Sequence, residues 1–225
     1  MSSESRSDTP FNPLDKVQLA ESIQRALLKT PVRPLPSPAP RRGKNVEPQF
    51  QGAGVYAIYY RGDYLPYAAI AAANAATCCR PIYVGRAVPK GGRKGGVELS
   101  AAAGTVLYDR LREHAQCIEK GEGLDLADFV CQYLVVDDIW IPLGESLMIR
   151  VFQPIWNLLI PGIGNHPPGS GRTKQKRSHW DVVHPGRSWA DDLPPNPKSK
   201  EAILANLAAF LSGKEAEITP EEDDQ

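Results

Sequence analysis

Two short strand-like segments, each with a tyrosine beside a glycine, constrain the fold of this chain more than any other feature. GVYAIYY (54–60) carries Tyr56 and PIYVGRA (81–87) carries Tyr83, and their neighbours are mostly β-branched or aromatic. Such residues favour a pleated, half-buried strand. The segment between them, 61–80, is rich in alanine. The pattern predicts two strands of one small sheet with an insertion between them.

Helix and strand patterns continue beyond these two segments. Leucine and alanine at helical spacing predict a helix over about 105–120, and FVCQYLVV (129–136) predicts a third strand because it is rich in β-formers and contains no breaker. PLGESLMIRVFQP (142–154) predicts a second helix that ends at Pro154. The order is β-β-α-β-α, an α/β (α+β) fold around a small mixed or antiparallel sheet.

Helical extensions flank this core on both sides. Asn12 followed by Pro13 has the form of a helix N-cap with proline at the first helical position, which predicts a helix over about 13–29. Segment 30–45 contains five prolines and predicts an extended, polyproline-like strap rather than a packed element. Apolar residues spaced along 203–211 predict a C-terminal helix that ends at Gly213.

These patterns divide the chain into four parts. The parts are an N-terminal helix and strap (1–48), a core with an insertion at 61–80 (49–160), a basic region (161–192), and a C-terminal helix with an acidic tail (193–225).

Charge is balanced overall but segregated along the chain. The 26 basic and 26 acidic side chains exclude an argument for nucleic-acid binding from net charge alone. Four basic residues nevertheless fall between Arg86 and Lys94 with no acid, and five fall between Arg172 and Arg187 with only Asp181 opposing them. The sequence therefore predicts two basic patches.

The sequence also bears on the cellular compartment. It contains no stretch long and apolar enough to span a bilayer and no charged-then-apolar leader, so we expect a cytoplasmic protein. The four cysteines lack C-x-x-C spacing, which favours reduced thiols over a metal site or a disulfide framework.

Six polar side chains lie on or beside the predicted core elements. A tyrosine on a strand is commonly structural, and a polar pair four residues apart on a helix is commonly a solvated edge. A purely structural role is harder to accept for Glu145, because an ionised carboxylate in an otherwise apolar helix is costly without a partner or a metal. The six are Tyr56, Tyr83, Arg110, His114, Glu145 and Asn157.

Taken together, these residues resemble the signature of the GIY-YIG nuclease superfamily. The matching segments are GVY with Tyr56, YVG with Tyr83, DRLREH with Arg110 and His114, GESLMIRVF with Glu145, and PIWN with Asn157. The order β-β-α-β-α also matches the core of that family. Valine replaces isoleucine in both strand motifs, which keeps the β-branched packing.

Departures from the common pattern resemble one branch of the superfamily. These are the insertion at 61–80, the histidine four residues after the arginine, and the segments NHPPGSGR (165–172) and DVVHPGRSWA (181–190). They resemble the compact type II restriction endonucleases, in particular a branch that cuts the palindrome CCGCGG.

The resemblance implies a role for each of the six residues. Glu145 would hold one Mg²⁺, with Mn²⁺ able to substitute, since Mg²⁺ takes oxygen ligands and keeps several waters. Arg110 would bind the scissile phosphate through its planar fork. Either Tyr56 or His114 would be the general base, and the sequence does not separate these assignments. Tyr83 and Asn157 would orient the phosphate and the groups around it.

Recognition of double-stranded DNA would come from the two basic patches. Arginine and lysine contacts to guanine are the commonest specific contacts in the major groove, which is consistent with a GC-rich site. The candidate DNA-binding residues are Arg86, Lys90, Arg93, Lys94, Arg172, Lys174, Lys176, Arg177 and Arg187.

One chain carries one set of these six site residues, whereas a double-strand cut at a palindrome needs two such sets. The interpretation therefore predicts a homodimer. A restriction enzyme also implies a cognate DNA methyltransferase in the same system, though not as a bound partner. Two alternatives stay open: a repair or structure-specific nuclease of the same superfamily, and a non-catalytic DNA-binding protein with a vestigial site.

Overall fold

The described part of the protein contains four antiparallel strands, eight α-helices and three short 3₁₀ helices. The computed structural model describes residues 15–38, 49–89, 104–168 and 175–219. The strands are β1 (Arg33–Pro34), β2 (Gly54–Tyr60), β3 (Tyr83–Ala87) and β4 (Phe129–Val135). The helices are α1 (Lys16–Leu28), α2 (Ala68–Ala73), α3 (Val106–Lys120), α4 (Ile141–Phe152), α5 (Ile155–Leu158), α6 (His179–Val183), α7 (Ser188–Asp191) and α8 (Lys200–Leu211).

The sheet has the order β1-β4-β2-β3, and every neighbouring pair is antiparallel. The predicted core elements and their order β-β-α-β-α are confirmed by β2, β3, α3, β4 and α4. All seven residues of the central strand β2 are buried. It is covered on both faces, which explains why GVYAIYY is apolar or aromatic throughout.

The register places both signature tyrosines on one face of the sheet. Tyr56 lies opposite Gly85, and Tyr83 lies opposite Ile58. Residues directly opposite in an antiparallel pair share a face, and so do residues two apart on one strand. Tyr56 and Tyr83 therefore both point toward the main core, which includes Leu111 of α3. Helices α1 and α4 cover the other face.

The proline strap differs from its prediction. Arg33 and Pro34 pair with Cys131 and Val130, and Leu35 is buried in the core. The strap is therefore partly packed, because it covers the outer edge of β4, whose backbone groups need partners. Segment 39–45 of the predicted strap lies outside the described residues.

The start of α1 is also set by a residue other than the predicted one. The Asp15 carboxylate accepts hydrogen bonds from the backbone N–H groups of Val17 (2.9 Å) and Gln18 (3.2 Å), so Asp15 is the N-cap of the described helix. Asn12 and Pro13 lie outside the described residues. The C-terminal helix is confirmed as α8.

Two further expectations can be compared with the structure. Cys78, Cys79, Cys117 and Cys131 form no disulfide bonds with one another. Within the described residues, no helix combines the length and the apolar character needed to cross a bilayer.

A buried polar network joins the insertion to α5 and to the end of α6. The His184 Nδ1–H donates to the carbonyl of Glu122 (2.9 Å), since a carbonyl can only accept. Nε2 of this neutral ring therefore accepts from the Tyr67 hydroxyl (2.6 Å), whose oxygen accepts from the Trp156 indole N–H (3.0 Å). Every member of this network is satisfied, so the network stabilises the fold in the neutral state of His184.

This network predicts a pH dependence of stability. Burial lowers the pKa of His184 from 6.5 to about 4. Between these values the unfolded chain binds a proton that the folded chain does not. The stabilisation is therefore present above about pH 6.5 and is lost as pH falls toward 4, by on the order of 3 kcal/mol. Urea unfolding of wild type and His184→Gln at pH 7.5 and 5 measures this, and the variant should show the weaker pH dependence.

The exposed histidine provides the matched control. His166→Gln removes an imidazole that is 55% exposed and leaves buried His184 in place, so the pH dependence that comes from His184 should remain. Equal pH slopes in wild type and His184→Gln would contradict the prediction.

Candidate active site

Tyr56 and His114 form a buried pair between the central strand and α3. The Tyr56 hydroxyl lies 2.6 Å from His114 Nε2, and each residue is only 1% exposed. Burial, together with the positive charge of nearby Arg110, lowers the pKa of His114 well below its usual value. The imidazole is therefore neutral near pH 7. One tautomer donates to the phenol oxygen and stabilises a phenolate, and the other accepts the phenol proton.

Tyr83 completes a group of three rings on this face. Its ring lies edge-on to His114, with centroids 5.0 Å apart, and 6.3 Å from the ring of Tyr56. Adjacent strands and α3 thus bring the rings of the two signature tyrosines and the histidine together on one face.

Arg110 lies one turn before His114 on the same face of α3. Its Nη1 donates to the Glu113 carboxylate (2.8 Å) and to His166 Nε2 (3.0 Å), and its Nη2 donates to the Gly164 carbonyl (3.3 Å). Burial opposes ionisation, but interaction with Tyr56, Tyr83 and Glu113 raises the pKa of Arg110 above its usual value. The guanidinium therefore stays charged and is held in one orientation.

Gly85 of the YVG motif is required by the position of Tyr56. A Cβ atom at Gly85 would lie 2.6 Å from Tyr56 Cζ and 2.9 Å from Tyr83 Cε1, closer than real contacts allow. The third motif position must therefore lack a side chain, so that the Tyr56 phenol can cross β3 and reach His114.

Substitution of this glycine is expected to damage both stability and the site. Gly85→Ala should displace the Tyr56 ring, cost about 1–3 kcal/mol of unfolding free energy through overpacking, and reduce any activity that depends on the Tyr56–His114 pair. Thermal unfolding and DNA cleavage assays measure the two effects. Unchanged values in both would contradict the close approach of Tyr56 to Gly85.

Glu145 lies on α4, against the opposite face of β3. Its Oε2 is 3.0 Å from Arg86 Nη1, and the two side chains are 17% and 43% exposed. The cationic partner explains how an apolar helix accommodates a carboxylate. Arg86 directly follows Gly85, and Gly144 packs against Val55. The ion pair and the tyrosine group are therefore connected through neighbouring residues of β2 and β3.

Glu145 fits a divalent cation by the chemistry of its donor. A partly exposed carboxylate supplies the hard oxygen ligand that Mg²⁺ prefers, and water completes such shells. The described residues include no group of three or more His, Cys, Asp or Glu side chains that could hold a metal.

Asn157 binds the backbone of the motif strand β3. Its Oδ1 accepts from the Val84 N–H (2.9 Å) and its Nδ2 donates to the Val84 carbonyl (2.8 Å). β3 is an edge strand, so Val84 has no strand neighbour on that side. The amide replaces the missing strand and fixes the backbone between Tyr83 and Gly85. Asn157 thus supports the strand that carries Tyr83.

Arg187 departs furthest from its predicted role. The residue is 3% exposed, and its Nε donates to the Asp181 carboxylate at 2.7 Å. A guanidinium enclosed in the fold cannot also contact DNA, so the predicted contact is wrong for Arg187. Basic residues in sequence look alike whether they face inward or outward, because their direction depends on distant partners.

The other candidate DNA-binding residues fall into two groups. Within the described part, Lys176 is exposed, Arg86 pairs with Glu145, and Arg177 donates to the carbonyls of Ala190 (3.1 Å) and Asp191 (3.2 Å). The candidates that lie outside the described residues are Lys90, Arg93, Lys94, Arg172 and Lys174.

Three site residues were missed by sequence reasoning. Glu113, Gly164 and His166 all bind Arg110. Gly164 and His166 lie in a loop with no periodicity, and of the two only His166 belongs to the segment NHPPGSGR (165–172). Glu113 looked like an ordinary exposed residue of an amphipathic helix, so only its contact distinguishes it.

This is a GIY-YIG nuclease domain. The class is defined by the sheet, the paired tyrosines of GVY and YVG, the arginine of the next helix and the glutamate of α4. Residues 48–211 match the family described as the Eco29kI GIY-YIG domain. The match covers most of the chain, which therefore belongs to the Eco29kI GIY-YIG family and is a restriction-type nuclease. No curated protein matches the chain.

Proposed function

We propose that this protein is a type II restriction endonuclease that uses Mg²⁺ to cut both strands of a GC-rich palindrome, CCGCGG. The observation that carries the proposal is the buried Tyr56–His114 contact of 2.6 Å beside an oriented Arg110. A general base candidate and a phosphate-binding cation on one face are what phosphodiester hydrolysis requires.

The residues divide the reaction between them. Hydrolysis needs a water that loses its proton as it attacks, and a leaving oxygen stabilised on the opposite side of the phosphorus. Arg110 binds the scissile phosphate, and Tyr83 supplies a hydroxyl on the same face. Glu145 would hold the divalent cation, Mg²⁺ or Mn²⁺, which when bound stabilises the developing negative charge.

The general base is assigned to the Tyr56–His114 pair. An unperturbed tyrosine has a pKa of about 10 and needs help to accept a proton near pH 7. Positive charge from Arg110 favours the phenolate, and neutral His114 can hydrogen-bond to it. Tyr56 then takes the proton of the attacking water, with His114 as its partner. The alternative, with His114 as the base, is tested by the substitutions discussed below.

DNA contacts are proposed for both basic patches, without Arg187. Exposed Lys176 and Arg86 belong to this set, and so do Arg177 and the five residues outside the described part. Arg86 is available once Glu145 binds a cation instead. Two copies related by a twofold axis would present two sites to the two strands, so the active species is a homodimer. The enzyme would act in the cytoplasm beside a cognate methyltransferase.

The test is cleavage of defined DNA. A plasmid of known sequence is digested with Mg²⁺ and the ends are mapped, followed by gel shifts and cleavage of duplexes with single-base changes in CCGCGG. A G·C to A·T change in a half-site should weaken specific binding by about 1–3 kcal/mol. Binding should fall steeply with added salt because both patches neutralise phosphates. Sedimentation counts the chains per duplex.

The possible outcomes separate the alternatives. Cutting at another palindrome keeps the restriction enzyme and discards CCGCGG. Equal cutting of every variant, or nicking of damaged but not intact duplex, would favour a repair or structure-specific nuclease. Binding without Mg²⁺-dependent cutting would favour a non-catalytic DNA-binding protein. One chain per duplex would exclude the homodimer.

A further inference from the structure

Arg187 is enclosed by contacts on every side. Its guanidinium makes five N–H···O hydrogen bonds, two to the Asp181 carboxylate and three to the carbonyls of Gly162, Ile163 and Asn165. The rings of Trp180 and Trp189 lie 4.7 and 4.8 Å from its Cζ atom. Because every N–H of the planar fork is used, the group fixes the backbone of loop 162–166 at three points.

The opposite side of the same loop holds Arg110. The Gly164 carbonyl and the His166 ring accept from Nη2 (3.3 Å) and Nη1 (3.0 Å) of Arg110. The loop passes so close that a Cβ atom at Gly164 would lie 2.9 Å from Arg110 Nη2 and 3.5 Å from the Tyr83 hydroxyl. Residues 162, 163 and 165 thus face Arg187, while residues 164 and 166 face Arg110.

We propose that Arg187 is a positioning residue, which acts through loop 162–166 to hold Arg110 in the orientation that binds the scissile phosphate. This inference rests on the proposed nuclease function. An arginine side chain is long and has many rotamers, so an unsupported guanidinium would have to be ordered when the phosphate binds. A loop fixed by three hydrogen bonds to a buried, ion-paired arginine provides that order before DNA binds.

The chemistry explains why an arginine is needed at position 187. Lysine would keep the charge beside Asp181, but one ammonium nitrogen cannot replace a planar fork that reaches three carbonyls and a carboxylate. Arg187→Lys should therefore loosen the loop while leaving the buried charge paired. Gly164→Ala alters the other side of the loop. It leaves the Arg187 contacts in place, and its new methyl group displaces the Arg110 guanidinium directly.

The experiment compares single-turnover cleavage with DNA affinity measured in Ca²⁺ or EDTA. We expect both variants to slow cleavage by about 10- to 100-fold, the effect of displacing a catalytic group by roughly 1 Å, with affinity within about threefold of wild type. Arg25→Lys, the same chemical change at an exposed position of α1, should match wild type. Ile203→Val controls for a loss of stability, since it removes only packing in the core near α8.

A second readout does not depend on cleavage. The arginine N–H resonances of Arg110 in ¹⁵N spectra, assigned with Arg110→Lys, should broaden or shift in Arg187→Lys and stay unchanged in Arg25→Lys. If wild type cuts no DNA, the proposed function fails, and these spectra still decide whether Arg187 positions Arg110.

Several results would overturn the inference. One is a folded Arg187→Lys variant that cleaves DNA at the wild-type rate. Another is a defect confined to DNA affinity. The third is a loss of cleavage rate no greater than that of Ile203→Val at matched stability. If Arg187→Lys does not fold, Gly164→Ala decides, and an unchanged cleavage rate with unchanged Arg110 resonances in that variant rejects the proposal.

Discussion

Glu145→Gln is expected to abolish DNA cleavage while leaving specific binding at least as strong as in wild type. The amide keeps the size of the side chain but removes the anionic oxygen that would hold the cation. The loss should be about 10³-fold or more, because a catalytic metal contributes several kcal/mol of transition-state stabilisation. Single-turnover cleavage in Mg²⁺ measures it.

DNA binding by Glu145→Gln shows whether the loss of cleavage comes from the missing carboxylate or from a general loss of structure. Arg86 lies 3.0 Å from Glu145, so removal of the carboxylate releases a cation next to the site. Gel shifts in EDTA should therefore show equal or tighter binding by Glu145→Gln. Glu119→Gln, an exposed neutralisation on α3, serves as the matched control and should cut normally. Retained cleavage by Glu145→Gln in Mg²⁺ would place the metal ligand elsewhere.

Tyr56→Phe is expected to have the second largest effect. It removes one hydroxyl and leaves the ring that packs against Tyr83 and His114. Loss of a general base typically costs about 10²- to 10⁴-fold in rate. Single-turnover rates across pH 6–9 should show this loss together with a changed pH profile, because the titrating pair is no longer intact.

Substitution of His114 separates the two candidate bases. If Tyr56 is the base and His114 its partner, Tyr56→Phe and His114→Ala should be strongly non-additive, and the double variant should be little worse than Tyr56→Phe. If Tyr56→Phe cuts like wild type, the proton goes to His114 or to another acceptor.

The neighbouring tyrosine supplies a matched control for this experiment. Tyr59 is buried on the other face of the same strand, and its hydroxyl has no hydrogen-bond partner within the described residues. Tyr59→Phe removes the same atom from the same strand and should leave cleavage unchanged. Its stability should be equal or higher, because an unsatisfied buried hydroxyl is costly.

The Arg86–Glu145 ion pair should couple the binding of the cation to the binding of DNA. The carboxylate proposed to hold the cation and the arginine proposed to contact DNA neutralise each other in the described structure. A cation on Glu145 and a phosphate on Arg86 would each separate the pair, so the two ligands should favour one another.

The sequence by itself determined the local elements and their order. Alternation and helical spacing located β2, β3, α3, β4 and α4, and their ends agree with the predicted ones within a few residues. These patterns are readable because a strand or helix repeats every few residues, so its signal lies within one short segment. The tyrosine, arginine and glutamate motifs identified the family for the same reason, since each is a local sequence on a predictable element.

Only the tertiary structure decided the partners of the polar side chains. Asn157 binds the Val84 backbone, 73 positions away along the chain, and Arg187 faces inward to a loop that supports Arg110. Neither contact leaves a periodic signal, because each depends on where two distant segments meet. Arg187 and exposed Lys176 look equivalent in a basic stretch, yet one is sealed between two tryptophans and the other faces solvent. Burial is a property of the folded neighbourhood, so charge patterning located the basic region but could not assign its residues to DNA or to the fold.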